Sequence, residues 1–175
     1  MVVSYYFDLT LNTKKMLGLD ANLVEKELKF VALAASGILA GTALYITIVE
    51  TKTRKNLDIK SMRRQWSDSF DSAAVFVLGT GTVNTVANMT LYYVDTSPAR
   101  CLWLANPALF MVGGIYTAFV MLPEIRELKN DEVVAKKGDQ WVEAAINRWN
   151  KRHMVRTCIN ALGAGCVIWA TLSST

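Results

Sequence analysis

Apolar residues in this chain gather in four long stretches that contain no Asp, Glu, Lys, Arg or His. The stretches cover residues 30–49, 72–94, 101–122 and 157–175, and they contain 20, 23, 22 and 19 residues. A helix of about 20 apolar residues, rising about 1.5 Å per residue, crosses the hydrocarbon core of a bilayer. The pattern therefore predicts an all-α, polytopic membrane protein, an up-down-up-down bundle of four transmembrane helices that forms a single domain over residues 1–175.

The segments between the stretches predict what lies at the membrane surface. Residues 1–29 lack the basic region and long apolar run of a signal peptide, so we expect an interfacial N-terminal segment. Residues 123–156 form a charged connection that contains an amphipathic helix, with Val142 and Ile146 on its apolar side. Such a helix lies on a membrane or docks in a partner's groove, so these two residues are the predicted docking positions.

Charge orients this arrangement. Of the 19 Lys and Arg residues, 14 lie in two connections, the first between the first and second apolar stretches and the other between the third and fourth. By the positive-inside rule these connections face the cytoplasm, and both termini are lumenal or extracellular. We expect an endomembrane, such as the endoplasmic reticulum, rather than the plasma membrane. The net charge of +4 is spread over two connections rather than gathered into a stripe, so it indicates topology and contact with anionic lipid, and no nucleic-acid partner.

Small and amide residues within the stretches predict how the helices meet. Gly37 and Gly41 form a GxxxG pattern, which favours close helix packing, within the bundle rather than in a dimer. Asn84 and Asn88 lie one turn apart on the second stretch, and Asn160 lies on the fourth. Amides avoid hydrocarbon, so we expect them to face inward. There they either bond across helices or line a polar cavity for a ligand or a lipid headgroup.

The motifs of common enzyme classes are absent from the sequence. It contains no GxSxG, HExxH or Walker pattern, and His153 is its one histidine. The three cysteines have no metal-ligand spacing. We therefore expect no metal site and no cofactor.

Aromatic and polar residues recur at helical spacing near the predicted cytoplasmic face. Trp149, His153, Arg156 and Asn160 are separated by four, three and four positions, so they share one face of a helix that continues into the fourth stretch. The other stretches bring further residues to the same side of the membrane: Glu50, Arg54, Trp66, Phe70, Pro123 and Asn130.

The order and spacing of these residues resemble the anthrone-oxygenase-like family of small four-helix membrane proteins. The resemblance covers roughly residues 34–170 and rests on the GxxxG pattern, the spacing of Glu50 and Arg54, Trp66, the pair Pro123 and Asn130, and Trp149-x-x-x-His153-x-x-Arg156. The chain departs from the family after Glu50, where it has Thr51-Lys52-Thr53 and many members look like they carry a His-Pro-Ala segment. Members in polyketide pathways oxidise anthrones to anthraquinones without a metal or flavin, and most others have no assigned activity. The resemblance implies a four-helix fold and raises a cofactor-free oxidation as a hypothesis.

An oxygenase of this kind needs a base to form the electron-rich anion that reacts with O₂. His153 has the suitable titration range, and Arg156 lies one turn away to stabilise an oxyanion. Trp66 and Trp149 provide stacking faces for a planar polycycle. Glu50 or Asn130 would orient the imidazole. The structural alternative is that His153 contacts a headgroup or a carbonyl and that the tryptophans anchor the helices at the interface.

Two functions follow from the sequence. We favour a non-enzymatic membrane subunit that binds lipid or docks to a larger assembly, for example one that handles lipids, because short outer loops and many packing residues leave little protein to enclose a pocket. Its partners would be membrane lipids and other membrane-protein subunits. The alternative is a cofactor-free, membrane-bound oxygenase of the anthrone type.

The predicted orientation can be tested by labelling from each side of the membrane. In a chain whose native cysteines are replaced by serine, Lys55→Cys and Lys137→Cys should react with an impermeant thiol reagent only from the cytoplasm. Thr175→Cys should react only from the opposite side, because the basic connections hold the termini there. Labelling of Thr175→Cys from the cytoplasm would contradict this topology.

Overall fold

The computed structural model describes residues 21–174, and every regular element in that range is a helix. The α-helices are α1 (Ala21–Tyr45), α2 (Thr51–Arg54), α3 (Ile59–Val94), α4 (Ala105–Tyr116), α5 (Leu122–Leu128), α6 (Val133–Lys137) and α7 (Asp139–Ser173). One π-helical turn, Ile46–Glu50, joins α1 to α2, and another, Thr117–Met121, joins α4 to α5. A 3₁₀ turn, Arg100–Leu104, precedes α4. Most of the predicted N-terminal interfacial segment lies outside the described residues.

These helices combine into four rods that are long and apolar enough to cross a membrane. We call them the first to fourth spans: Asn22–Arg54, Ile59–Val94, Arg100–Leu128 and Asp139–Ser173. Large apolar side chains point outward from them, including Phe30, Val75, Phe119 and Trp169, each more than 60% exposed. Such a surface is unfavourable in water and suits hydrocarbon. The chain is therefore an all-α, multi-pass membrane protein, as predicted, while the direction in which each span crosses stays a prediction.

The charged connection folds back onto the bundle instead of standing free. Helices α5 and α6 and the first turns of α7 share an apolar cluster with the second span, which includes Trp66, Met121, Ile125, Leu128, Val142, Ile146 and Trp149. Val142 is fully buried and Ile146 nearly so. The prediction that these two residues form a docking surface is wrong, because the apolar face of the amphipathic helix is covered by the chain itself.

Charged residues of the connection bind within the chain. Arg63, on the second span, donates to the carbonyl oxygens of Leu128 and Lys129 at 2.8 and 2.9 Å, and so caps the end of α5. Arg148 and Arg152 both bind the carboxylate of Glu124, at 2.7 and 2.9 Å. These ion pairs hold α5 against α7, so part of the charge of the connection is paired within the chain.

Amides bond between spans in the middle of the bundle. Asn84 Nδ2 donates to Asn106 Oδ1 at 2.7 Å, which links the second and third spans, and Asn88 Nδ2 donates to Asn84 Oδ1 at 2.9 Å. All three residues are buried. Of the two roles left open for these amides, Asn84 shows bonding across helices, whereas Asn88 bonds to Asn84 within its own helix.

The end of the bundle opposite the charged connection has its own polar anchor. Trp103 Nε1 donates to Asp95 Oδ2 at 2.7 Å, beside a cluster formed by Ala32, Leu91 and Val167. Burial by itself raises the pKa of Asp95, but hydrogen bonds from Trp103 and Ser97 outweigh burial and hold that pKa below its ordinary value. The carboxylate therefore stays charged and fastens the turn between the second and third spans.

The glycine pattern of the first span does not pack inside the bundle. A Cβ added at Gly37 or Gly41 would meet no atom within 4 Å, and both residues are exposed. The prediction of close packing at this GxxxG pattern is therefore wrong within the described chain. The packed face of α1 lies on other small residues: Ala32, Ala35, Ser36, Ala40 and Ala43. A close approach occurs instead at Gly163, where a Cβ would lie 3.0 Å from the amide nitrogen of Asn106.

Leucine substitutions at these glycines should separate the two environments. Gly163→Leu should lower the free energy of unfolding by about 1–3 kcal/mol, because the side chain must displace an amide that is already bonded to Asn84. Gly41→Leu is the matched control on an open face and should keep wild-type stability. Thermal unfolding in detergent measures both. Equal destabilisation by the two substitutions would contradict this assignment of faces.

Candidate functional site

A cavity of about 310 Å³ lies between the four spans, toward the end that carries the charged connection. Six of the residues singled out in the sequence line it: Trp66, Phe70, Trp149, His153, Arg156 and Asn160. Arg54 lines it as well. Asn84, Asn88 and Asn130 are not among its lining residues. Residues of the second and fourth spans that the sequence singled out therefore line one cavity.

Flat aromatic faces form one side of the cavity. The rings of Trp66 and Phe70 stack with centroids 5.7 Å apart at 20°, and Trp149 meets Trp66 edge-on at 5.6 Å. The imidazole of His153 stacks on Trp149, with centroids 4.9 Å apart at 26°. Since aromatic rings favour offset stacking and edge contacts, these side chains support one another. Trp66 and Trp149 are buried by this packing, and Phe70 stays partly exposed.

A chain of hydroxyl groups holds His153. Its Nδ1 lies 3.1 Å from Thr47 Oγ1, and that oxygen lies 2.7 Å from Thr157 Oγ1. Thr157 in turn donates to the carbonyl oxygen of Ala43 at 3.2 Å. The opposite ring nitrogen, Nε2, has no hydrogen-bond partner among residues 21–174. One nitrogen is thus fixed by the protein and the other is available to a ligand.

Arg156 supplies positive charge to the cavity. No carboxylate or hydrogen-bond acceptor of the described chain pairs with its guanidinium. A charge in a largely apolar site is costly unless it is compensated, so this side chain favours a ligand that carries negative charge or develops it.

Glu50 binds Arg54 instead of the imidazole. Arg54 Nη2 donates to Glu50 Oε1 at 2.8 Å, and Gln65 Nε2 donates to the same oxygen at 2.8 Å. Arg54 Nε donates to Gln65 Oε1 at 2.5 Å, and the guanidinium lies 5.9 Å from the ring centroid of Trp149. The expected orienting contact from Glu50 to His153 is therefore absent, and Thr47 makes it.

Asn130 lies outside the cavity. It is exposed, and its Oδ1 accepts the backbone N–H of Glu132 at 3.0 Å. Its side-chain amide stabilises the turn between α5 and α6 and makes no contact with the imidazole of His153. The expectation that Asn130 orients His153 does not match this position.

The comparisons with known proteins agree with this arrangement. A family model described as anthrone oxygenase matches residues 66–166, more than half of the chain. The chain belongs to the anthrone oxygenase family. No curated protein and no solved structure matches it. The matched segment begins at Trp66 and includes Trp149, His153 and Arg156, whereas Thr47 and Arg54 precede it.

In this member of the anthrone oxygenase family, two π-helical turns lie beside the cavity. Ile46, from the first turn, and Thr117, from the second, both line it. The carbonyl oxygen of Ile46 accepts both the backbone N–H of Thr51 and, at 2.9 Å, the hydroxyl Oγ1 of the same residue. π-Helical turns are rare and concentrate at functional sites. Hydrophobic periodicity gives no sign of them, so sequence reasoning missed both.

Thr47 and Gln65 are the site residues that sequence reasoning did not select. Thr47 is a polar residue within an apolar stretch, so the rule that turned the amides inward applies to it equally. Gln65 adjoins Trp66 in a polar segment and carries no comparable signal.

The contact between Thr47 and His153 can be tested by nitrogen-15 NMR, since one histidine gives one pair of ring signals. Thr47→Val should change the ring-nitrogen shifts and lower the free energy of unfolding by about 1–3 kcal/mol, because a buried polar atom loses its partner. Thr47→Ser keeps the hydroxyl and is the matched control. Wild-type shifts in Thr47→Val would contradict the contact.

Proposed function

We propose that this protein is a cofactor-independent membrane oxygenase that converts a planar anthrone-type substrate to the quinone with O₂. The observation that carries the proposal is a single cavity that joins an aromatic cluster, a histidine with one available nitrogen and an unpaired arginine. Its volume of 310 Å³ is near the lower end of the range for small-molecule sites, about 300–1,000 Å³. Membership of the anthrone oxygenase family supports the same activity.

The first step is removal of a proton from the methylene carbon of the anthrone. His153 Nε2 accepts this proton, while Thr47 holds Nδ1 and keeps the ring in place. The substrate becomes an enolate whose negative charge is spread over the rings and the carbonyl oxygen. Arg156 stabilises that charge, which is worth more in an apolar cavity than in water.

The enolate then supplies the electrons that O₂ accepts. A carbon–oxygen bond forms at the former methylene carbon, and the resulting peroxide takes up a proton. Loss of the second proton from the same carbon, with cleavage of the oxygen–oxygen bond, gives the new carbonyl group and releases hydroxide, which is protonated to water. One O₂ is consumed, and one quinone and one water are formed.

The cavity also bears on the non-enzymatic hypothesis. The argument for that hypothesis is that little protein remains to enclose a pocket, whereas a cavity of about 310 Å³ lies between all four spans. Lipid binding, docking to other membrane subunits, a location in the endoplasmic reticulum and lumenal termini stay predictions. They are compatible with an oxygenase that takes an apolar substrate from the membrane.

The proposed activity can be tested with purified protein in lipid nanodiscs. Wild-type protein should consume O₂ with one or more members of an anthrone panel and form the matching quinone. His153→Gln keeps hydrogen bonding but removes proton transfer, so the rate should fall by about 10²–10⁴-fold while thermal stability is retained.

A matched pair of arginines gives the control. Arg156→Gln removes the cavity cation and should slow the reaction, whereas Arg152→Gln alters a residue that binds Glu124 and should not. No quinone from wild-type protein across the panel would contradict the oxygenase proposal and leave the non-enzymatic subunit as the better hypothesis.

A further inference from the structure

The four spans enclose the cavity unevenly. The first and fourth spans contribute only buried or half-buried residues to its walls. Its exposed lining residues are Leu78 on the second span and Gly114 and Ala118 on the third, and Leu78 is 64% exposed. The cavity therefore reaches the outer surface of the described bundle between the second and third spans.

Residues one helical turn apart form the two edges of this gap. Ala74 and Leu78 lie on the edge of the second span, and Gly114 and Ala118 lie on the edge of the third. A Cβ added at Gly114 would meet no atom within 4 Å, so no side chain of the described chain covers that position. We call the gap between these four residues the lateral opening.

Contacts between the second and third spans bound the lateral opening at both ends. At one end the ring of Phe110 lies so close to Gly81 that no Cβ would fit there. At the other end, toward the charged connection, Lys129 forms an ion pair with Asp71. Between these two contacts, no hydrogen bond or ion pair of the described chain joins the second span to the third. The spans are thus fastened on either side of the opening but not across it.

The lateral opening faces hydrocarbon. Its four residues lie within the uncharged stretches 72–94 and 101–122. Large apolar side chains on the same two spans point outward around it: Val75, Phe76, Met111, Ile115 and Phe119. A charged or strongly hydrated molecule would lose its water before it reached this surface, at a high cost in free energy. The opening therefore suits an uncharged molecule that is already dissolved in the bilayer.

We propose that the substrate enters the cavity from the membrane through the lateral opening, and that the small size of Gly114 and Ala118 allows it to pass. This inference rests on the proposed function and adds to it, because it assigns the substrate class: uncharged, apolar, planar molecules that partition into lipid. Such a molecule crosses the opening in its neutral form. It loses its proton only inside the cavity, beside His153 and Arg156.

Cysteine labelling tests the opening without requiring turnover. In a chain whose native cysteines are replaced by serine, Thr42→Cys places a thiol on the cavity wall of the first span. N-phenylmaleimide dissolved in nanodisc lipid should label this thiol, and a charged, water-soluble methanethiosulfonate reagent should not. Gly114→Leu and Ala118→Phe fill the opening, so each should slow labelling by N-phenylmaleimide by about 10-fold or more. Gly79→Leu is the matched control, because Gly79 is exposed, has open space beside it and does not line the cavity.

Thermal unfolding shows whether each variant is folded, and if one of the two filling variants fails to fold, the other decides. Equal labelling rates in the filling variants and in Gly79→Leu, or ready labelling by the charged reagent, would overturn the lateral opening. Labelling that slows in the filling variants of a protein that consumes no O₂ would support the opening and contradict the oxygenase. O₂ consumption by a protein whose labelling does not slow would do the reverse.

Discussion

The buried pair of Glu50 and Arg54 is the interaction on which the arrangement of the site depends. Both side chains are nearly inaccessible, and both bind Gln65 of the second span. Removing one partner of such a pair costs about 3–5 kcal/mol, because the other charge is left buried and uncompensated. The pair therefore fixes the end of the first span against the second. It also sets Arg54 beside Trp149, so the same contact that joins the spans shapes the cavity.

The membrane spans are the part of the fold that the sequence predicts best. Charged side chains are costly in hydrocarbon, so uncharged stretches of about 20 residues mark membrane spans. Each of the four stretches overlaps one span. Which neighbour a helical face contacts is a different question. Val142 and Ile146 were correctly placed on an apolar face, but the pattern carries no information about the helix α5 that covers it. Gly37 and Gly41 show the same limit, because Ala32, Ala35 and Ala40 offer an equally small surface on another side.

In the candidate site, too, the sequence predicts which residues share a helix face but not which helices contact each other. Trp149, His153 and Arg156 share one helix, so the helical period alone brings them together. Contacts between helices depend on rotation about each axis, which local periodicity does not determine. The π-helical turn at Ile46–Glu50 alters that rotation by adding a residue to one turn. Thr47, inside that turn, meets His153, whereas Glu50, at its end, meets Arg54.

The unfavourable features of this structure are concentrated around one cavity. Both π-helical turns, three buried donors without partners and a cation without a counterion lie there. Elsewhere the buried polar side chains are largely paired, as in the amides of Asn84 and Asn106 and in the bond from Trp103 to Asp95. A fold that pairs most of its polar groups across the rest of the bundle but leaves donors and charge unpaired around one cavity loses stability there. A ligand that develops negative charge beside Arg156 would compensate that cation. An interaction that strengthens as the charge develops is the condition for binding a transition state more tightly than a substrate.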